Sequence, residues 1–219
     1  NYNYLTGVSS SLVSHFENFS KKLSNQYFKN KKFKIIDIGS NDGLLLKCFN
    51  KKNTRIGIEP AKNLKVFYKD SGIFLYNDFF NNKIVNNLKR KFNCVDVITA
   101  NNVFAHIDDL QNIIKNVDKI LIRGGLFIIE VSYLLEMMKS NSFDSIYHEH
   151  LSYHTLIPLK YFFEKFGYQI IDVEQMLTHG GSVRVFLKKT KSEAVSKNLH
   201  LFIKKEKLFY RSLNKKLLK

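Results

Sequence analysis

The sequence is poor in cysteine, proline and arginine, and each scarcity narrows what the chain can be. Its two cysteines, Cys48 and Cys94, stand alone without a C-x-x-C pair, which excludes a disulfide framework and a cysteine-based zinc site. Proline occurs only at Pro60 and Pro158, so the N-x-P-P-[YF] signature of enzymes that methylate base amines is absent. No run approaches the ~20 apolar residues of a membrane-crossing helix. The opening NYNYLTGVSS lacks the charged and apolar regions of a signal peptide. A cytoplasmic protein is the expectation.

The scarcity of arginine bears on the net charge of +16. Such a charge invites a nucleic-acid partner, because Lys and Arg neutralise phosphates. Yet the only arginines are Arg55, Arg90, Arg123, Arg184 and Arg211, and arginine is the usual residue for bidentate phosphate and base contacts. A Lys- and Asn-rich chain without an Arg cluster points to compositional bias rather than to a polyanion site. The charge is also uneven. From Lys188 onward, eleven basic residues stand against Glu193 and Glu206. Leu199, Phe202, Ile203, Leu208, Phe209, Leu213 and Leu217 recur there near helical spacing. This tail reads as an amphipathic basic helix docked to a neighbour.

What the sequence does contain is alternation. Residues 8–28 read as a helix with Val8, Leu12, Phe16, Phe19 and Leu23 on one face. Short apolar runs then alternate with helical patterns: FKIIDI, RIGIEP, IFLYNDF, VDVITANN and LFIIEVSYL are five strands. LLLKCF, AKNLKVFYKDSG, KIVNNLKRKF and LQNIIKNVDKILIRGG are the helices between them. A further helix, LIPLKYFFEKFG, precedes YQIIDVEQML and GSVRVFLKK, two strands joined by a hairpin-like turn. The pattern predicts an α/β fold: a doubly wound, mostly parallel Rossmann-like sheet ending in an antiparallel pair. It also predicts a helical leader over residues 1–30, a core over 31–190 and the basic helix over 191–219.

Ligands in such sheets sit at the carboxyl ends of strands, where strand order reverses. The first strand ends in DIGSNDG, Asp37 to Gly43, and the second ends at Glu59, which can accept both hydroxyls of a ribose. The loop lacks the middle glycine of G-x-G-x-x-G, and Asp42 would repel a pyrophosphate. A cationic cofactor without phosphates suits it better. S-adenosylmethionine, with a sulfonium, an ammonium and a ribose diol, matches Asp37, Glu59 and Asp78. Gly39, Asn41, Gly43 and Asn101 complete the predicted cofactor set. A nicotinamide enzyme is the other reading of the same loop.

The stretch YHEHLSYHT, Tyr147 to Thr155, concentrates three histidines. As a metal site it is poorly composed: no single local geometry presents His148, His150 and His154 together, so no metal is expected. As a proton-transfer site it asks less, because an oriented histidine can remove a proton beside a carbonyl near neutral pH. His106, just past the fourth strand, and Tyr147 could hold the oxygen that becomes negative. The bland readings are that His106 caps a helix near Asp108 and that His148 and His154 are structural.

At this point the chain resembles a known family. DIGSNDGLLL, IGIEPAKN, ANNVFAHI, FDSIYHEHLSYHT and HGGSVRVFL look like successive motifs of the sugar C-methyltransferases, which act on nucleotide-linked 4-keto-deoxysugars. The resemblance covers nearly the whole chain, and YHEHLSYHT is its specific part. It implies S-adenosylmethionine as cofactor and methyl transfer to a sugar carbon next to a ketone. His150, the last residue of Y-H-E-H, would be the base, with Tyr147, Glu149 and His106 as further catalytic residues. Tyr4, His179 and Arg184 are the substrate-binding candidates, the last two meeting a sugar diphosphate. Family members usually also carry an N-terminal zinc-binding cysteine module and a second Rossmann-like domain. Neither is read in this sequence, so a partner chain supplying the C-terminal domain is an expectation. An O- or N-methyltransferase, or a non-catalytic binding subunit that keeps the fold, are the alternatives.

Overall fold

The computed structural model describes residues 5–142, 144, 146–176, 181–190 and 193–217, with side chains to residue 213. Seven strands hydrogen-bond in the order β3-β2-β1-β4-β5-β7-β6. The chain divides into two compact units, Asn1–Asn101 with Gln111–Phe127, and Asn102–Leu110 with Ile128–Lys219.

In the first unit, β1 (Lys34–Ile38) lies between β2 (Thr54–Ile58) and β4 (Val95–Asn101), parallel to both, and β3 (Phe74–Tyr76) pairs in parallel with β2. KIIDI and TRIGI are buried at four successive positions, as central parallel strands covered on both faces must be. The order reverses at β1, which puts the loop after β1 at the ligand-binding switch point. Helix α1 (Ser10–Lys22) buries Leu12, Phe16 and Phe19, starts at Ser9, whose hydroxyl accepts from the Leu12 N–H, and widens into a π turn over Leu23–Tyr27. Helix α2 is a single turn, Leu44–Lys47. Helix α3 (Asn82–Phe92) is capped by Asn81 and buries Ile84, Val85 and Leu88.

Two local readings change here. The helix expected over AKNLKVFYKDSG is a 3-10 helix, Lys62–Tyr68. The helix expected to run to the paired glycines stops early: α4 is Leu110–Ile120, and β5 is Leu121–Ser132, taking LIRGG into the strand with Gly124 left-handed at φ 76°.

In the second unit, helix α5 (Leu134–Ser140), not foreseen from the sequence, follows β5. Helix α6 (Leu156–Glu164) leads to β6 (Gln169–Met176) and β7 (Ser182–Lys188), an antiparallel pair as expected. The basic tail forms helix α7, Lys197–Leu217. It packs against β6 and α6 of its own unit, with Leu199, Phe202 and Glu206 buried. The first turns of the apolar stripe are thus covered within the unit, while Leu208 further along stays exposed. The Glu206 carboxylate is fully buried and accepts from the N–H groups of Leu156 (2.5 Å) and Ile157 (2.8 Å) and from the Tyr133 hydroxyl (2.8 Å). It caps α6 in place of Thr155, whose hydroxyl pairs instead with Tyr210. No helix among the described residues is long and apolar enough to cross a membrane.

Candidate active-site residues

The glycine loop is held from inside its own unit. Gly39, Asn41 and Gly43 all adopt left-handed backbone, φ 66°, 51° and 77°. At Gly43 a side chain is doubly barred, since an added Cβ would also lie 3.0 Å from the Tyr68 ring. The N–H groups of Gly39 and Ser40 both reach the Ile58 carbonyl, and that of Gly43 the Ser40 carbonyl. Asn41 donates to Glu59 Oε2 (2.8 Å), Asp42 to Asn41 Oδ1 (2.8 Å) and Leu44 to Asp42 Oδ1 (3.2 Å). Every N–H from Gly39 to Leu44 is thus engaged, so the loop presents no free backbone donors. A pyrophosphate needs such donors.

The acceptors tell the opposite story. Asp37 is 4% exposed and accepts from Thr99 Oγ1 (2.6 Å) and Asn101 Nδ2 (3.2 Å). Asn101 Oδ1 beside it is buried with no hydrogen-bond partner among the described residues. The Asp37 carboxyl is raised to about 7, chiefly by burial and further by Glu59, against the two hydrogen bonds that lower it. Glu59, also buried, accepts one N–H at each oxygen, from Asn41 and from Ala61 (2.9 Å). A second lone pair remains on each oxygen, enough for a diol. The set therefore suits a ligand that carries positive charge and hydroxyls. Asp78 is the weakest member, half-buried with its carboxylate on the following N–H of Phe79. Asp42 does not face a ligand as a bare charge: its oxygens accept from Thr6, Gly7 and Leu44.

The histidine stretch of the second unit is turned rather than extended. The His150 N–H reaches the Tyr147 carbonyl (3.1 Å), closing a tight turn. That turn puts the Tyr147 hydroxyl 3.1 Å from His150 Nε2 and leaves His148 and Glu149 exposed. The His106 ring centroid lies 4.9 Å from that of His150. His106 Nδ1 is 2.9 Å from the Glu149 carbonyl oxygen. A carbonyl only accepts, so Nδ1 carries the hydrogen and Nε2 is a bare acceptor in the neutral ring. Burial and the His150 neighbour lower the His106 pKa, favouring that neutral form. His106 is thus equipped to take a proton and, while neutral, not to donate one to a developing oxyanion. Tyr147 can donate, since burial and Glu149 raise its pKa. The contact of Glu149 with His106 is made by its backbone carbonyl, and its side chain is exposed.

The remaining candidates separate cleanly. His154 is buried against Phe104 and pushed down to about 4 by desolvation, with Ser152 Oγ on its Nε2 (3.0 Å), a structural histidine. Arg184 is corrected: 3% exposed, it donates from Nε (3.0 Å) and Nη2 (2.7 Å) to the fully buried Glu130 and lies 3.6 Å from Glu174. A guanidinium so compensated is not available to a sugar diphosphate. Tyr4 and His179 lie outside the described residues. No group of three or more His, Cys, Asp or Glu among the described residues could hold a metal ion.

Fold and acceptor set define a domain that transfers a group from a cationic nucleoside cofactor. Residues 13–173 match the methyltransferase domain family, and the chain belongs to it. It is a methyltransferase domain with S-adenosylmethionine as cofactor. The C-methyltransferase NovU of Streptomyces niveus is 31% identical over 186 residues, which is 84% of this chain. The chain spans 44% of the length of that relative. An S-adenosylmethionine-dependent methyltransferase from Thermotoga maritima superposes with a TM-score of 0.58 at 16% identity, covering 82% of this chain and 92% of its own. The plantazolicin methyltransferase BpumL, solved with SAH, gives 0.56 at 13% identity over 80% of this chain and 82% of its own.

Proposed function

We propose that the chain is the methyl-transferring core of a C-methyltransferase acting on a nucleotide-linked keto-deoxysugar, with His150 as the base. The observation that carries this reading is the group Tyr147–His150–His106. Carbon methylation needs a carbanion equivalent, and two adjacent imidazoles with one phenol provide a base and a donor. The 31% identity to a C-methyltransferase and the match to the sugar C-methyltransferase motifs support the same reading.

His150 removes the proton from the carbon beside the ketone, and its imidazole becomes imidazolium. Tyr147 orients that ring through Nε2 and donates to the oxygen as the enolate forms. His106 stays neutral, because a second positive charge so close to the first is disfavoured. S-adenosylmethionine supplies an electrophilic methyl group. When the cofactor is bound, the enolate carbon would take that methyl, the electron pair of the S–CH₃ bond staying on sulfur. In the first unit, Asp37 and Asn101 would hold the cationic amino acid part of the cofactor and Glu59 its ribose diol.

The test is exchange of the sugar proton with deuterated water in the presence of S-adenosylhomocysteine, which cannot give a methyl group. Enolisation precedes transfer, so exchange is expected in the wild type and lost in His150→Asn. Exchange retained in His150→Asn would put the base at His106. Activity lost to chelators and restored by zinc would replace the proton-transfer reading with a metal site.

A further inference from the structure

The segment just ahead of α1 does more than lead into a helix. Thr6 donates its N–H to Asn41 Oδ1 (3.2 Å) and its hydroxyl to Asp42 Oδ1 (2.5 Å), and Gly7 donates its N–H to Asp42 Oδ2 (2.7 Å). The approach is close enough that a Cβ on Gly7 would lie 2.6 Å from Asp42 Oδ2. From the opposite direction in sequence, Tyr68 donates to the Asn41 carbonyl (2.9 Å) and pairs with Ser40 Oγ (2.7 Å). Asn41 is a non-glycine residue in left-handed backbone, a conformation with an intrinsic cost that persists only where surroundings hold it. Its side-chain oxygen, its carbonyl and its N–H are gripped by Thr6, Tyr68 and Glu59 respectively.

We propose that Thr6 and Tyr68 are positioning residues for S-adenosylmethionine, locking the Asn41–Asp42 turn so that Glu59 is preset for the ribose diol. The Asn41 N–H sits on Glu59 Oε2, so the conformation of that peptide fixes the rotamer of the carboxylate. A turn released at Thr6 or Tyr68 swings this N–H away and leaves Glu59 to be reordered on each binding event. The ligand then bears the ordering cost, which lowers affinity without removing any group that touches it. Tyr68 keeps its proton for this task, since burial and the nearby carboxylates raise its pKa far above the usual value.

The experiment measures S-adenosylhomocysteine affinity by titration calorimetry on the full chain, alongside the melting temperature without ligand. Thr6→Val, which loses one hydrogen bond, is expected to weaken binding about fivefold, and Tyr68→Phe, which loses two, at least about fivefold. Thr6→Ser keeps both donors and is expected to restore wild-type affinity. Backbone hydrogen exchange of residues 39–44 without ligand should speed up in Tyr68→Phe and Thr6→Val and not in Thr6→Ser, a change that mere loss of global stability would spread over all strands. Affinity within twofold of wild type in both variants, or loop exchange unchanged, overturns the assignment. The inference rests on the cofactor site itself, and wild type that fails to bind S-adenosylhomocysteine overturns that site first. Wild type that binds while Glu59→Ala does not leaves the site intact and puts only Thr6 and Tyr68 at stake.

Discussion

The glycine loop and the histidine turn solve the problem of presenting polar groups in opposite ways. Around the loop, Asp37, Ser40, Asn41, Asp42 and Glu59 are all buried, and each N–H along it has an acceptor within its own unit. In the histidine turn, Tyr147, His148, Glu149 and His106 are exposed, and one backbone hydrogen bond sets the two functional rings together. Most buried polar groups must be paired before a ligand arrives, because an unmade hydrogen bond there is expensive, and among the described residues around the loop Asn101 Oδ1 is the group left over. An exposed site can leave its groups to water until substrate replaces it. Under the proposed function, the difference would give the constant partner, the cofactor, to the buried region and the variable partner, the substrate, to the open one.

The comparison breaks first at His150. His150→Asn is expected to lower methyl transfer by about a hundred- to ten-thousand-fold while leaving S-adenosylhomocysteine affinity within about twofold, as separate kinetic and calorimetric measurements would show. A loss in both would mean that the two regions are not independent. Glu59→Ala should do the converse, weakening S-adenosylhomocysteine binding by about tenfold or more, since hydrogen bonds to a charged group are among the stronger ones. Tighter binding of NADH than of S-adenosylhomocysteine would overturn the donor-and-acceptor argument altogether.

A third effect is a pH dependence confined to the loop. Asp37 is raised in the fold from 3.8 to about 7, above its unfolded value. Its contribution to stability is therefore complete below pH 4 and is lost as pH rises towards 7, because the unfolded chain releases the proton first. His154 acts in the other direction: lowered to about 4, it costs stability as pH falls below 6.5. The difference in melting temperature between wild type and Asp37→Asn isolates the first term, and wild type should lose ground between pH 5 and 7. Positive charge on the bound ligand favours ionised Asp37, so affinity for S-adenosylmethionine should rise over the same window, and a flat profile would contradict this. The smallest effect is expected at His148, exposed on the turn, where His148→Asn should cost less than about threefold in turnover, far below the range for a general base.

Much of this was legible because it is written in local pattern. Buried strands such as KIIDI and VDVITAN announce themselves by apolar runs, and the hairpin pair by alternation, so topology followed from their order. Asp37 and Glu59 were legible because strand ends at a switch point are fixed by that topology. LIRGG was misread because a short apolar run beside a helix carries no period of its own. The geometry of the histidine turn was left open, since nothing in YHEH signals the hydrogen bond from His150 to Tyr147. Thr6, Tyr68 and Glu206 went unseen for a different reason. Their partners lie 35, 27 and 50 residues away in the chain, and no spacing rule links them. Arg184 shows the converse error, a charge taken for a ligand site whose counterions were already in the fold.

The carboxylate of Glu206 also sets where this protein can be cut. The family match ends at residue 173, and β7 ends at Lys188, so either would be a natural place to trim an expression clone or to graft the domain onto another enzyme. Both cuts discard the acceptor for two buried N–H groups at the start of α6 and for the Tyr133 hydroxyl. Modularity in this chain therefore has a grain: the sheet can be catalogued as a unit without α7, but removing that helix leaves buried donors of the sheet's own neighbours unpaired and is expected to lower stability.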